Sequence, residues 1–451
     1  MRLALWWTAV AAASAARLRH QRLEHNAAYT LMLNNYNSVQ YSASFSLGGQ
    51  TLPVIYDTGS FEIIVLSTLC KTCKTRFSVY DSSKSSSFYA TNITAEHVFG
   101  SGAVRSTKSY ETVHFGSPGS PYVVQKMPFW QVLSHNMDVW NRAASFAGIV
   151  GLGHPDRIPL GFTADKHEND QAMLASMNIK SFALCLERSR RGAPGWLSVG
   201  PNSAAFQVGR PGFKALNVVG MVHWGMVMTN PKLPGVGAPN PCLPSCGAII
   251  DSGTSLIAVP PSAAPLIRRL SSLINRDCSN IRSLPFLEMQ VDSTVIRLPP
   301  AAYVMQVRTR VYNDSTIWRS IMRGSTKSKI VYECSAAFMT IDKTSQFGPV
   351  WILGMPFLRY YYTVFDRSLK QIHISHATPG CKPYTQTAGL AINGTRLANG
   401  TAAHFSNATK HFDEEADANG FTAADYEPTE VDLDAARKPG WALGPGKYLH
   451  L

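Results

Sequence analysis

The sequence is poor in charged residues, and acidic residues are its scarcer charged type. Asp, Glu, Lys and Arg make up only 16% of the 451 residues, with 42 basic residues against 29 acidic ones. The basic side chains are scattered along the chain without a long run, which is typical of a solvated surface rather than a nucleic-acid site. We therefore expect no nucleic-acid partner.

Long apolar runs are missing beyond the N terminus. Residues 1–16 combine one Arg, an apolar run and small residues near Ala15, which is the pattern of a signal peptide. No later stretch approaches about 18 uncharged apolar residues, so we predict no transmembrane anchor. We expect a protein of the secretory pathway, either secreted or held in an acidic endosomal or vesicular compartment.

The sequence also lacks the Cys/His spacing of a zinc finger. Its eight cysteines are an even number, which in an oxidising compartment predicts four disulfides. The close pairs Cys70-x-x-Cys73 and Cys242-x-x-x-Cys246 leave half-sites for zinc as an alternative. We favour disulfides and predict neither a metal nor a cofactor. Five sequons behind a signal peptide predict glycosylation at Asn92, Asn313, Asn393, Asn399 and Asn407.

Helical periodicity is rare. From Ala28 to about Asp366 the chain alternates short apolar runs with clusters of Gly, Pro, Ser and Asn, a rhythm that predicts a mainly β protein. We expect helices only near 169–178 and 262–274. The runs that we interpret as strands include 41–47, 52–56, 63–66, 122–127 and 182–186.

A weak internal repeat is the most informative feature. The stretch LPVIYDTGS ends at Ser60, and GAIIDSGTS ends at Ser255. Each is followed, after about 90 to 100 residues, by paired aliphatic residues and a glycine, at 148–151 and at 351–354. This predicts two lobes with the same element order, each providing one carboxylate. We place the first lobe at 29–205, the second at 206–381, and a short pro-segment or extension at 17–28.

The last part of the chain has a different composition. Residues 382–451 are rich in Ala, Gly, Thr and Asn, carry three of the sequons and contain the acidic group Asp413-Glu414-Glu415. Apolar periodicity disappears there, so we expect a mobile, glycosylation-prone tail outside the core.

The repeated loops point to paired carboxylates. An Asp before Thr-Gly or Ser-Gly at the end of an apolar strand lies in a buried loop whose glycine permits close backbone approach. One such motif alone commonly means a turn. Two carboxylates about 4 Å apart repel by about 4 kcal/mol at an effective dielectric constant of about 20. Such a pair therefore shares one proton over several pH units.

From about Tyr41 to Asp366 the sequence resembles the pepsin family. The stretches that carry the resemblance are Asp57-Thr58-Gly59-Ser60, Gly148-Ile149-Val150-Gly151-Leu152-Gly153, Asp251-Ser252-Gly253-Thr254-Ser255, Trp351-Ile352-Leu353-Gly354 and Val364-Phe365-Asp366-Arg367. The resemblance implies an all-β, bilobal pepsin-like fold: two six-stranded β domains, a central cleft and a few short helices.

The same resemblance assigns roles to the loop residues. Asp57 and Asp251 become the catalytic pair of an aspartic endopeptidase acting on protein or peptide substrates as a monomer. Ser60 and Thr254 become their outer hydrogen-bond partners, and the rest of the two loops supports the pair: Thr58, Gly59, Ser252 and Gly253. One carboxylate takes a proton from a bound water while its protonated partner polarises the scissile carbonyl. An acid optimum is expected.

Family members cover the pair with a hairpin called the flap. The matching residues here are Phe99, Gly100, Ser101 and Gly102, with Phe99 at the position of the usual tyrosine. Ile64 replaces the tryptophan that normally binds the tyrosine hydroxyl, so both partners of that bond are missing together. Apolar residues flanking the cleft, Ile64, Phe99 and Phe129, predict a preference for hydrophobic residues at the cut.

The cysteines and two departures complete the comparison. By resemblance the pairs are Cys70–Cys73, Cys242–Cys246 and Cys278–Cys334, while Cys185–Cys381 is similar to an arrangement in beta-secretase. The pro-segment is shorter than usual, and a basic insertion at about 304–331 has no assigned role. Two other functions are open: a pepsin-fold binding protein without activity, and a glycosidase that uses the two carboxylates.

Overall fold

The structure, a computed structural model, describes residues 28–73, 77–99, 102–137, 140, 145–158, 170–188, 192–200, 212–312, 328–378, 380–383, 429–431 and 448–449. Several sequence predictions therefore lie outside the described residues. These are the signal peptide, Gly100 and Ser101, and the sequons at Asn313, Asn393, Asn399 and Asn407.

Short strands dominate both halves of the chain. In the first half they are β1 (Tyr29–Tyr36), β2 (Gln40–Leu47), β3 (Gln50–Asp57), β4 (Ile63–Leu66), β5 (Tyr89–Phe99), β6 (Gly102–His114), β7 (Val123–His135), β8 (Gly148–Gly151), β9 (Ser181–Leu186) and β10 (Gly195–Val199). In the second half they are β11 (Lys214–Asn217), β12 (Gly225–Lys232), β13 (Cys246–Ile250), β14 (Ile257–Val259), β15 (Leu287–Val291), β16 (Thr294–Leu298), β17 (Val304–Tyr312), β18 (Ser328–Ala336), β19 (Phe338–Thr340), β20 (Thr344–Ser345), β21 (Gly348–Leu353), β22 (Tyr361–Asp366), β23 (Gln371–Thr378), β24 (Lys382–Pro383), β25 (Thr429–Val431) and β26 (Tyr448–Leu449).

The helices are short. They are α1 (Met173–Ser176), α2 (Ala264–Leu273), α3 (Pro300–Tyr303) and α4 (Met355–Tyr360). The first two confirm the predicted helices, with tighter bounds. The sequence analysis missed α4 because all six of its residues are buried, which leaves no polar face to reveal a helical period. Among the described residues, no helix combines the length and apolarity needed to cross a bilayer.

The two halves contain the same three-stranded unit. In the first, β3 pairs in parallel with β8, which pairs antiparallel with β4. In the second, β13 pairs in parallel with β21, which pairs antiparallel with β14. Because these inner strands are covered on both faces, they are continuously apolar instead of alternating. The repeat predicted from the sequence is therefore present in the topology.

A sheet built from both halves joins them. Part of this 14-stranded sheet has the order β1, β10, β9, β22, β23 and β11, and the junction is the antiparallel pairing of β9 with β22. Beside the junction, the buried Arg367 donates to the main-chain oxygens of His154 and Ile179 at 2.9 and 2.8 Å. A guanidinium from the second half thus satisfies backbone acceptors in the first.

Four disulfides complete the frame. The bonds are Cys70–Cys73, Cys185–Cys381, Cys242–Cys246 and Cys278–Cys334, as the resemblance implied. The Cys185–Cys381 bond lies beside β9 and β23 and joins the two halves covalently.

The C-terminal tail differs from the expectation at two points. The segment β25 pairs in parallel with β17, and β26 pairs in parallel with β20. The strand β17 also pairs antiparallel with β18, so the two ends of the basic insertion lie side by side as paired strands. These tail segments add strands to sheet edges, a placement that depends on distant partners and leaves little trace in local composition.

Candidate active site

Asp57 is the last residue of β3, and Asp251 directly follows β13. Each is delivered by an apolar strand into the interior, so both side chains are buried, with 0% and 1% of their surface exposed. Two buried carboxyl groups are costly unless they are hydrogen-bonded and share charge. Their surroundings must therefore supply donors.

Both carboxyl groups receive the same set of donors. The main-chain N–H of Gly59 donates to Asp57 Oδ1 at 2.9 Å, and the hydroxyl of Ser60 donates to Oδ2 at 2.5 Å. The N–H of Gly253 donates to Asp251 Oδ1 at 2.7 Å, and Thr254 Oγ1 donates to Oδ2 at 2.6 Å. The predicted outer partners, Ser60 and Thr254, are thus in place.

The two carboxyl groups also contact each other. Asp57 and Asp251 lie close enough for the charge of Asp57 to raise the pKa of Asp251, which favours a proton shared by the pair. Gly59 makes this approach possible, because a Cβ at that position would lie 2.6 Å from Asp251 Cγ. The glycine of the Asp-Thr-Gly motif is therefore a steric requirement of the pair.

The residues between the Asp and the Gly cross-link the loops. Thr58 Oγ1 donates to the carbonyl of Ile250 at 2.8 Å and accepts from the N–H of Ser252 at 2.9 Å. Ser252 Oγ donates to the carbonyl of Tyr56 at 2.7 Å and accepts from the N–H of Thr58 at 3.0 Å. The arrangement holds the two loops in a fixed relation.

Burial raises the pKa of both carboxyl groups. The pKa of Asp251 lies well above its usual range because of burial and the neighbouring negative charge of Asp57. Burial also raises the pKa of Asp57, and the hydrogen bond from Asp251 opposes that rise. The pair therefore holds one proton over a range of pH, and its apparent pKa values belong to the pair.

Comparison with known proteins agrees with this geometry. The family model for eukaryotic aspartyl proteases matches residues 40–377, which is most of the chain. The chain belongs to this family. It is 29% identical to cathepsin D of Bos taurus over 77% of this chain and 87% of that protein. It is 26% identical to pepsin A of Bos taurus over 76% and 86%, and 28% identical to pepsin II-1 of Oryctolagus cuniculus over 77% and 84%.

In this aspartic protease, β5 and β6 form the hairpin that we predicted to be the flap. Phe99 ends β5 and pairs with Gly102, which has a φ of +146°. Phe99 and Ile64 both belong to one buried apolar cluster, which also contains Ile55 of the strand leading to Asp57. The two residues that the resemblance matches to the Tyr and Trp positions thus belong to the same cluster.

Phe129 lies elsewhere in the protease. It is fully buried in the main core, where its ring packs edge-on against Tyr80 with 5.3 Å between centroids. The next residue, Trp130, occupies the cluster of Ile64 and Phe99. Adjacent side chains of a strand point to opposite faces. The side chain that lies with Ile64 and Phe99 is therefore that of Trp130, one position after the predicted Phe129.

Two further residues near the hairpin escaped the sequence analysis. Trp130 donates its indole N–H to Glu62 Oε1 at 3.0 Å, and Glu62 Oε2 lies 3.4 Å from His97 Nδ1. A usable signal existed: Glu62 is an isolated acidic residue in the apolar stretch 61–66, directly after the catalytic loop. Buried acids in such positions need specific partners.

Proposed function

We propose that this protein is an endopeptidase that hydrolyses peptide bonds with a water activated by Asp57 and Asp251. One observation carries the proposal: two buried carboxyl groups from different halves lie on adjoining loops and receive matching donors. This arrangement suits a pair that must exchange protons while remaining fixed in position.

The chemistry follows from the shared proton. The ionised carboxylate accepts a proton from the attacking water, and the protonated carboxyl donates to the oxygen of the scissile carbonyl. Carbon–oxygen bond formation gives a tetrahedral intermediate stabilised by hydrogen bonds. Its collapse breaks the carbon–nitrogen bond as the amine takes up a proton. These steps need no covalent enzyme intermediate, and we assign the reaction neither a metal nor a cofactor.

An acid optimum follows if the singly protonated pair is the active form. As the pH rises through the raised pKa of Asp251, the general acid is lost. As the pH falls through the lower pKa of Asp57, the general base is lost. The rate should therefore show a bell-shaped pH dependence, with the apparent pKa values belonging to the pair.

We assign the β5–β6 hairpin as the flap and propose a preference for hydrophobic residues at the cut. Phe99 and Ile64 support this, since neither offers a polar group and both belong to the apolar cluster beside β3. Substrate side chains placed against this cluster would lose apolar surface to it.

We further propose a monomer of the secretory pathway, secreted or in an acidic vesicular compartment. The signal-like residues 1–16 and four disulfides support this location. Asn92 is exposed on β5, so its sequon is open to glycosylation.

The test is a peptide-library digest between about pH 4 and about pH 6.5. Wild type should cleave beside hydrophobic residues, whereas Asp57→Ala and Asp251→Ala should each lose at least about a thousandfold in kcat/KM. Asp277→Ala, which alters an exposed carboxylate, is the matched control and should retain full activity. Equal cleavage by either catalytic variant would refute the mechanism. Peptide binding without cleavage by wild type would favour the inactive binding protein.

A further inference from the structure

Glu62 connects the catalytic half-site to the flap hairpin. It lies five positions after Asp57. Its main-chain oxygen accepts from the N–H of Gly151 at 2.9 Å, and Gly151 is also the residue that pairs with Asp57 across β3 and β8. The backbone of Glu62 is therefore fixed to the same strand that supports the catalytic loop.

The side chain of Glu62 reaches toward the hairpin. Its Oε1 accepts from Trp130 Nε1 at 3.0 Å, and its Oε2 lies 3.4 Å from His97 Nδ1. The rings of His97 and Trp130 pack edge-on with 4.8 Å between centroids. Both rings are buried, and 14% of the Glu62 side chain is exposed. A carboxylate in such a place is tolerated because it is hydrogen-bonded.

The position of His97 gives this contact its meaning. His97 is part of β5, two residues before Phe99, where the strand ends. The contact with Glu62 thus joins the outer part of the hairpin to the segment that follows Asp57. Phe99 and Ile64 pack together in the apolar cluster but cannot hydrogen-bond to each other.

We propose that Glu62 is a positioning residue that holds the β5–β6 hairpin over the cleft through His97 and Trp130. Glu62 acts through the hairpin, by its contacts with Trp130 and His97. This inference rests on the proposed function, since it concerns the flap of that same site. Its main consequence is for substrate binding, because a hairpin held in place loses less conformational entropy when substrate binds beneath it.

Steady-state kinetics with a hydrophobic peptide tests the effect on binding. Glu62→Ala should raise KM about tenfold and change kcat less than about twofold, as expected for a lost charge-assisted hydrogen bond. Glu62→Gln keeps an acceptor for Trp130 and can donate to His97 Nδ1, so its KM should stay within about threefold of wild type. Glu96→Ala, an exposed acidic residue next to His97 on the same strand, should leave KM unchanged.

A double-mutant cycle tests whether the two residues act through one contact. His97→Phe keeps a ring against Trp130 but removes the nitrogen that faces Glu62. If the two residues form a single link, Glu62→Ala combined with His97→Phe should raise KM no more than Glu62→Ala alone. Independent, multiplying effects on KM would overturn the proposal.

Hydrogen exchange gives a readout that does not depend on catalysis. In full-length Glu62→Ala, the paired amides at the end of the hairpin, near Val98 and Val104, should exchange about tenfold faster, while those of β3 stay unchanged. Unchanged hairpin exchange would overturn the proposal even for an inactive enzyme. Uniformly faster exchange would also overturn it, by showing a general loss of stability. If the wild-type protein cleaves no peptide, by contrast, that result would count against the proposed function alone.

Discussion

The two Asp loops bind their carboxyl groups in the same way but have different neighbours. In each loop, a glycine N–H and a hydroxyl bind the carboxyl group, with distances that differ between the loops by no more than 0.2 Å. The hydroxyl residues are exchanged, since Asp-Thr-Gly-Ser in the first loop faces Asp-Ser-Gly-Thr in the second. Ser60 in one loop and Thr254 in the other therefore make the same hydrogen bond.

The residues after each loop differ because they hold different parts of the molecule. After the first loop, Glu62 contacts the β5–β6 hairpin through His97 and Trp130. After the second loop, Ser255 donates to the main-chain oxygen of Val39, in the first half, at 2.6 Å. The segment after the first loop thus contacts the β5–β6 hairpin, and Ser255 of the second loop contacts the opposite half. The hydrogen bonds to the two carboxyl groups match, whereas the contacts beyond them differ.

The largest expected effect concerns the cross-links between the loops. Thr58→Val and Ser252→Ala each remove two hydrogen bonds and leave a buried N–H and a buried carbonyl without that partner. Each should lower the free energy of unfolding by about 2–5 kcal/mol. Equal losses would support equivalent loops, and denaturant unfolding measures them. Thr340→Val, at an exposed position, should change stability by less than about 0.5 kcal/mol. A large loss of stability in only one of Thr58→Val and Ser252→Ala would show that the two loops are not equivalent.

A smaller effect should distinguish the outer hydroxyl groups. Ser60→Ala and Thr254→Val remove the donor to Oδ2 of Asp57 and Asp251, respectively. Hydrogen bonds to a charged group contribute about 1.5–3 kcal/mol, so kcat should fall by about tenfold to a hundredfold. We expect the greater fall for Ser60→Ala, because the pKa of Asp251 is raised further above its usual range than the pKa of Asp57. Active-site-titrated kcat values provide the measurement, with exposed Ser272→Ala as control. A greater loss in the Thr254 variant would contradict that order of pKa values.

The smallest effect is on the pH dependence of stability. A carboxyl group whose pKa is raised by folding stabilises the protein at low pH, and this stability is lost as the pH rises through the folded-state pKa. Asp251→Asn removes that loss. The Tm of this variant, measured relative to that of wild type, should therefore rise by about 2–4 °C between acidic and neutral pH. Asp57→Asn should gain less. Asp277→Asn should gain nothing, since a hydrogen bond from Ser279 lowers the pKa of that exposed carboxyl group. Thermal melts at several pH values check the order, and an equal gain for both dyad variants would contradict it.

The sequence predicted best what local pattern controls. The strand at 63–66 has the bounds that its apolar run indicated, and the two Asp loops meet as their repetition implied. Glycine spacing was informative because close approach is a steric demand on a single residue, as Gly59 illustrates. The mainly β character followed from short-range patterns, while the bilobal fold was implied by the family resemblance.

The remainder depends on partners far apart in the chain. The pairing of β9 with β22 and of β17 with β25 joins segments separated by more than a hundred residues. The local sequence of a strand does not specify which distant strand it pairs with. Phe129 and Trp130 are both large and apolar, so hydrophobicity alone could not decide which one joins the cluster of Ile64 and Phe99. The register of β7 decides which of the two side chains faces that cluster, and register is fixed by pairing with distant strands.

The bond between Cys185 and Cys381 has a consequence for maturation. Cys185 belongs to the first half and Cys381 follows the last long strand of the second, 196 positions away. A single break of the peptide chain between Gly200 and Gly212 would therefore yield two polypeptides that remain one covalent molecule. The two carboxylates would stay tethered in a nicked, two-chain enzyme, and reducing agent would be needed to part the fragments on a gel.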